Sequence, residues 1–75
     1  MIESEVSIVV GGLTQEVLED MLLAPLRARG VSIRLWPLYE GLNGSFHMIR
    51  VGAADADRTV VRAKHLADDG KVRRL

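Results

Sequence analysis

The chain is one pattern written twice. "VGGLTQEVLEDMLLAPLRARGVSIRL" and "VGAADADRTVVRAKHLADDGKVRRL" both run Val-Gly, a helical stretch, a glycine, a strand-like stretch and a leucine. Val10-Gly11 aligns with Val51-Gly52, Gly30 with Gly70, and Arg34-Leu35 with Arg74-Leu75, the second copy being one residue shorter. Each copy is one supersecondary unit that cannot bury its apolar side alone, so the two must share a core. With 75 residues in all, residues 1–75 form a single domain of two βαβ-like halves. A chain this short buries only about 60–65% of the surface exposed when unfolded. Its core is thin, and association with a partner would add stability.

The elements follow from residue type and period. "VSIVV" is rich in β-branched residues and predicts a strand with Val6, Ile8 and Val10 on one side and Ser7 and Val9 on the other. "GGL" turns the chain, and Thr14 caps a helix with Glu16 in its first turn. That helix carries Val17, Leu18, Met21, Leu22 and Leu26 at helical spacing, with Gly30 as its stop. Pro25 removes a backbone donor and predicts a kink or break near Ala24. "VSIRLW" is a second strand, "PLYEGLNGS" a turn region containing Tyr39, and "FHMIRV" a third strand. A second helix starts at Asp55 or Asp57 and uses Ala56, Val60, Ala63 and Ala67, flanked by Leu66, with Gly70 as its stop. "KVRRL" is a short fourth strand. The order β-α-β-β-α-β predicts an α+β fold, the ferredoxin-like plait: a four-stranded antiparallel sheet with both helices on one face.

Helices on one face leave the other face of the sheet open. The apolar set Val6, Ile8, Val10, Val31, Ile33, Leu35, Ile49 and Val51 belongs to the core side. The opposite parity sends Ser7, Val9, Ser32, Arg34, Trp36, Phe46, Met48, Arg50 and Arg73 outward. All three aromatic residues, Trp36, Tyr39 and Phe46, lie within one hairpin-like segment, and two of them fall on the open face between arginines. Trp, Tyr and Arg are enriched at binding hot spots, and an exposed apolar patch of this kind marks an interface. Arg34, Trp36, Tyr39, Phe46, Met48 and Arg50 are therefore the candidate partner-binding residues.

Three families resemble parts of the chain. "IVVGGL" and "GSFHMIRV" resemble the two short motifs of RNA recognition motifs, with Val9, Phe46 and Met48 where that family places its base-stacking residues. The halves "VVGGL…LRARGV" and "IRVGAADADRTVVRAKHLADDG" resemble the SPOR domain, a peptidoglycan-binding plait, with Leu13 and Ala54 where its aromatics usually stand. "LAPLRARGVSIRL" followed by "IRVGAADADRTVVRAKHL" resembles a group of small prokaryotic putative signal-transducing proteins, which implies a regulatory binding module.

Chemistry-bearing patterns are sparse. The sequence has no cysteine, which excludes disulfides and thiolate chemistry and fits a cytoplasmic protein. The start "MIESEVSIVV" does not match a signal peptide, and no segment has the length of a membrane span. His47 and His65 are the only histidines, too few for a histidine metal centre. Gly11-Gly12 precedes a helix but lacks the P-loop lysine. Net charge is zero, yet residues 1–30 carry five acids against two bases and residues 31–75 five acids against eight bases. A neutral total argues against a dedicated duplex-DNA binder while leaving room for a local basic patch. The expectation is a non-catalytic regulatory or inhibitory module, without cofactor or metal, that docks a protein partner or a second copy. Single-stranded nucleic acid on the same face is the alternative.

Overall fold

The computed structural model describes the backbone of residues 4–41 and 44–75, and side chains for the same residues except 37–45. Strands β1 (Glu5–Gly11), β2 (Ile33–Gly41), β3 (Gly44–Gly52) and β4 (Val72–Arg74) form one sheet in the order β2-β3-β1-β4, every pairing antiparallel. Helix α1 spans residues 15–27 and helix α2 Ala56–Leu66. Each helix follows one strand and leads to another, and the sheet order is that of the ferredoxin-like plait.

The core lies on the predicted side of the sheet. Ile8, Val10, Ile33, Ile49 and Val51 are buried against Leu18, Leu22, Leu23 and Leu26 of α1 and Ala56 and Ala63 of α2. Val6 and Leu35 are partly buried at its margin. The small residues of α2 include Thr59, which is also buried and donates its hydroxyl to the Asp55 carbonyl at 2.7 Å. That internal bond is what allows a polar side chain to face the sheet.

Helix α1 departs from the expected pattern. Residues Gln15–Val17 are α-helical, Leu18–Leu23 form a π-helix, and Ala24–Arg27 return to α. In the π segment the Ala24 N–H reaches the Glu19 carbonyl, five residues back. Wider turns bring positions i, i+4 and i+5 onto one side, so Leu18, Leu22 and Leu23 are buried together while Val17 and Met21 are exposed. An ordinary helical period assigns Val17 and Met21 to the core and overlooks Leu23. The helix does not break at Ala24. Pro25 sits in the first turn of the new α segment, where its N–H is not needed. The Arg62 Nε of α2 donates to the Met21 carbonyl at 3.3 Å, near the point where the π segment gives way to α.

Both caps of α1 follow their residue types. Thr14 accepts from the Val17 N–H at 3.2 Å. At the other end the Val31 N–H bonds the Leu26 carbonyl and the Gly30 N–H that of Arg27, with Gly30 at φ +87°. This is a Schellman closure, and its hydrophobic pair is Leu26 with Val31, both buried.

Helix α2 differs at both ends. Residues Ala53–Asp55 form a 3₁₀ turn and Asp55 occupies the N-cap position, but its carboxylate binds the Arg58 guanidinium and makes no cap bond to the backbone. The helix ends at Leu66, before Gly70, which lies in a 3₁₀ turn over Asp69–Lys71. Asp68 and Asp69 would oppose the dipole in a last turn, and they lie beyond the helix instead.

The β2–β3 hairpin is longer than the sequence suggests. Strand β2 runs through Pro37 to Gly41, and the register slips between Pro37 and Tyr39. Pro37 is tolerated because β2 is an edge strand, and the bulge absorbs the missing donor. Tyr39 therefore belongs to β2 and not to a turn.

Candidate interaction face

Cross-strand register sets the open face out in rows. Arg34 of β2, Arg50 of β3 and Ser7 of β1 lie opposite one another in the first. Trp36, Met48, Val9 and Arg73 form the second, reaching from β2 to β4. Tyr39, Phe46 and Gly11 share the third. The two-residue alternation predicts these companions for Trp36, Phe46 and Met48. Only the bulge gives Tyr39 the register position of Phe46; its side chain lies outside the described residues.

Trp36 and Phe46 are 38% and 37% exposed, which places both at the boundary between open surface and packed structure. Met48 and Val9 are half-buried between them. The Arg34 guanidinium stands 5.1 Å from the centroid of the Trp36 ring, a cation–π geometry that orients the indole. Phe46 is held differently. A Cβ on Gly11 would come within 2.7 Å of the ring's Cδ1 and 3.3 Å of its Cζ, so the ring covers the bare glycine backbone. The sequence offers the Val-Gly repeat as a strand-to-helix turn, and that account misses the second role of Gly11. Its signal is positional: a glycine directly across the ladder from an aromatic residue.

Electrostatically the face is lopsided. Arg34, Arg50 and Arg73 lie on it, and Glu5 is the carboxylate that answers them, paired with Arg34. Arg50 is half-buried, and its Nε has no hydrogen-bond partner among the described residues. Like charges directly opposite in a ladder destabilise a sheet, so the Arg34–Arg50 pair carries a cost that a threonine pair would not. Beside Phe46 a depression of about 470 Å³ is bounded by Val9, Lys71, Arg73 and Leu75, which adds a further cation to its rim. Rings fixed at two points, an apolar row between them and cations without matching acids can receive an extended acidic or aromatic surface. Among the described residues no group of acids and histidines suited to a metal is present. No described helix is long and apolar enough to cross a membrane.

Compared with protein-family models, with curated proteins and with solved structures, the chain matches none of them.

Proposed function

We propose that this chain is a non-catalytic regulatory or inhibitory module of the cytoplasm that docks a protein partner through the open face of its sheet. The observation that carries the proposal is the row Trp36–Met48–Val9, with Phe46 beside it, framed by Arg34, Arg50 and Arg73. Aromatic anchors surrounded by arginine are the composition of hot spots. The charge favours a partner that presents acidic groups. Among the described residues three arginines against Glu5 leave the face at +2, so a second copy set face to face would bring like charges together. Self-docking then requires an offset that separates the arginines.

Single-stranded nucleic acid is the second reading, supported by the same arginines interleaved with Trp36 and Phe46. Base stacking on aromatics contributes about 1–3 kcal/mol per base. The two described rings offer fewer platforms than a full RNA recognition motif, which ranks this reading second.

Trp36 is the only tryptophan, so its emission reports on the face directly. Titration with a mixed single-stranded oligonucleotide pool at low salt separates the two readings. An unchanged spectrum is expected, and quenching that salt reverses would promote nucleic acid, because phosphate contacts weaken steeply with salt. For protein docking, photo-crosslinking from position 48 should yield an adduct that is lost in Trp36→Ala while the variant keeps its fold. Unfolding of Trp36→Ala would instead assign the indole to the core.

A further inference from the structure

A second site lies away from the sheet, in the groove between the helices. Its walls come from the end of α1 and one side of α2, and it encloses about 470 Å³. Arg58, Val61, Arg62 and His65 recur at i, i+3, i+4 and i+7 and so share one side of α2. Leu26 and Leu66 supply apolar floor, and Arg29 faces them from the chain just after α1.

The polar groups of this groove are unevenly matched. Asp55 engages Arg58. Arg62 is tied by its Nε to the Met21 carbonyl of α1 at 3.3 Å. Arg62 and Arg29 have no carboxylate partner among the described residues. Val61, among these cations, is 57% exposed, more than Val17 or Met21 of α1. An apolar side chain in the middle of unmatched cations suits neither water alone nor a purely apolar ligand.

We propose that this groove binds a small organic anion, a phosphate or carboxylate head on an apolar body. The head lies between Arg29 and Arg62, with His65 as a further donor. The body lies over Val61, Leu26 and Leu66. The volume falls within the range of small-molecule pockets. The Arg62–Met21 bond orients the guanidinium before any ligand arrives, which lowers the entropy lost on binding. The site is separate from the open sheet face and does not depend on what that face docks.

The probe is hexyl phosphate, compared with inorganic phosphate and hexanol, followed by amide NMR of the full chain. Saturating shifts are expected at residues 26–30 and 58–66. Each buried methylene contributes roughly fourfold in affinity, so a hexyl chain that buries only two of its methylenes in the open groove already makes hexyl phosphate about fifteenfold tighter than inorganic phosphate. Arg29→Gln and Arg62→Gln should each weaken binding by about tenfold or more, the loss of a charge-assisted hydrogen bond. Val61→Ser should shrink the advantage over inorganic phosphate. The Met21 carbonyl is bonded by Arg62 and not by Arg29, so the Arg29 variant remains informative if Arg62→Gln fails to fold. Trp36 emission should not change. Shifts centred on Trp36 and Met48, affinity unaltered in Arg29→Gln, or no saturation with hexyl phosphate would each overturn the proposal.

Discussion

Replacing His47 with leucine is expected to stabilise the protein. His47 lies on the core side of β3, between Val10 of β1 and Pro37 of β2, and its ring is fully buried. Neither ring nitrogen has a hydrogen-bond partner among the described residues. A buried polar group left unsatisfied costs about 1–3 kcal/mol. Leucine is close to histidine in volume and carries no group to satisfy. It fills the same space and recovers part of that cost, and its extra apolar burial adds to the gain. Allowing for imperfect repacking, the net should be about 1–3 kcal/mol. In a domain of this size each kcal/mol moves Tm by roughly 4–8 °C. Thermal unfolding should therefore place His47→Leu about 4–24 °C above the parent, and urea unfolding should show a higher midpoint with an unchanged m-value. His47→Ala serves as the control. It removes the same polar group but opens a cavity, and should lower stability. A His47→Leu protein less stable than the parent would refute the reasoning, because it would mean that the imidazole has a partner worth more than its desolvation.

Other substitutions test separate parts of the structure. Gly30→Ala should cost about 1–2 kcal/mol, because φ +87° is left-handed backbone and no neighbour lies within 4 Å to explain a loss otherwise. Gly70→Ala, equivalent in the repeat but without positive φ and equally open, should be neutral or stabilising by up to about 1 kcal/mol in the same denaturation assay. Gly11→Ala should push the Phe46 ring off the sheet. Stability should stay within about 1 kcal/mol, since alanine recovers the backbone entropy that glycine loses, while the ring-shifted Gly11 Hα signals vanish and crosslinking from position 48 weakens. Arg50→Thr should raise stability by about 0.2–1 kcal/mol by removing a like-charge pair, and should weaken partner docking at the same time.

How much was legible in the sequence depends on how local the cause is. Thr14, Gly30 and the β-branched strands act on their nearest neighbours, and each does what its residue type implies. Face assignments on β1 and β3 also hold, because side-chain parity follows from pleating alone. Where distant contacts intervene, expectation and structure part. The π segment of α1 is not signalled by its own residue types, and it places Leu18, Leu22 and Leu23 against a core supplied by the rest of the chain. Strand β2 continues through Pro37 because it is an edge strand, which is a property of the sheet order. Gly70 matches Gly30 in the repeat but not in conformation, for α2 has already ended at Leu66, with Ala67 extended. Within the candidate site, the companions of Trp36 could be named from parity, whereas the position of Tyr39 required the bulge. The groove was visible only as the spacing Arg58, Arg62, His65. On a sequence that spacing describes a solvated side; opposite Arg29 and Leu26 it becomes a wall.

The strongest sign that the open face serves binding is that it is built at a loss. A 75-residue chain has little stability to spare. On its open face it nevertheless sets two arginines directly opposite each other, answers one with Glu5, and leaves the Nε of the other without a partner. Threonine or valine at either position would make a better ladder. The rings beside them show the same priority. Phe46 lies over a glycine that weakens β1, and Trp36 is held by a cation where an aliphatic neighbour would have buried more of it. The Arg34–Arg50 pair lowers the stability of the isolated chain, while the contacts to Trp36 and Phe46 fix the orientation of groups that a partner can use. Among the described residues the core side leaves buried polar atoms unsatisfied at His47 alone, and the departures on the open face lie around Arg50, Trp36 and Phe46. Random drift toward marginal stability would scatter such departures over both faces. Concentration on one face is the pattern that selection for docking would leave, and it makes a gain in stability with a loss of association the expected signature of replacing Arg50.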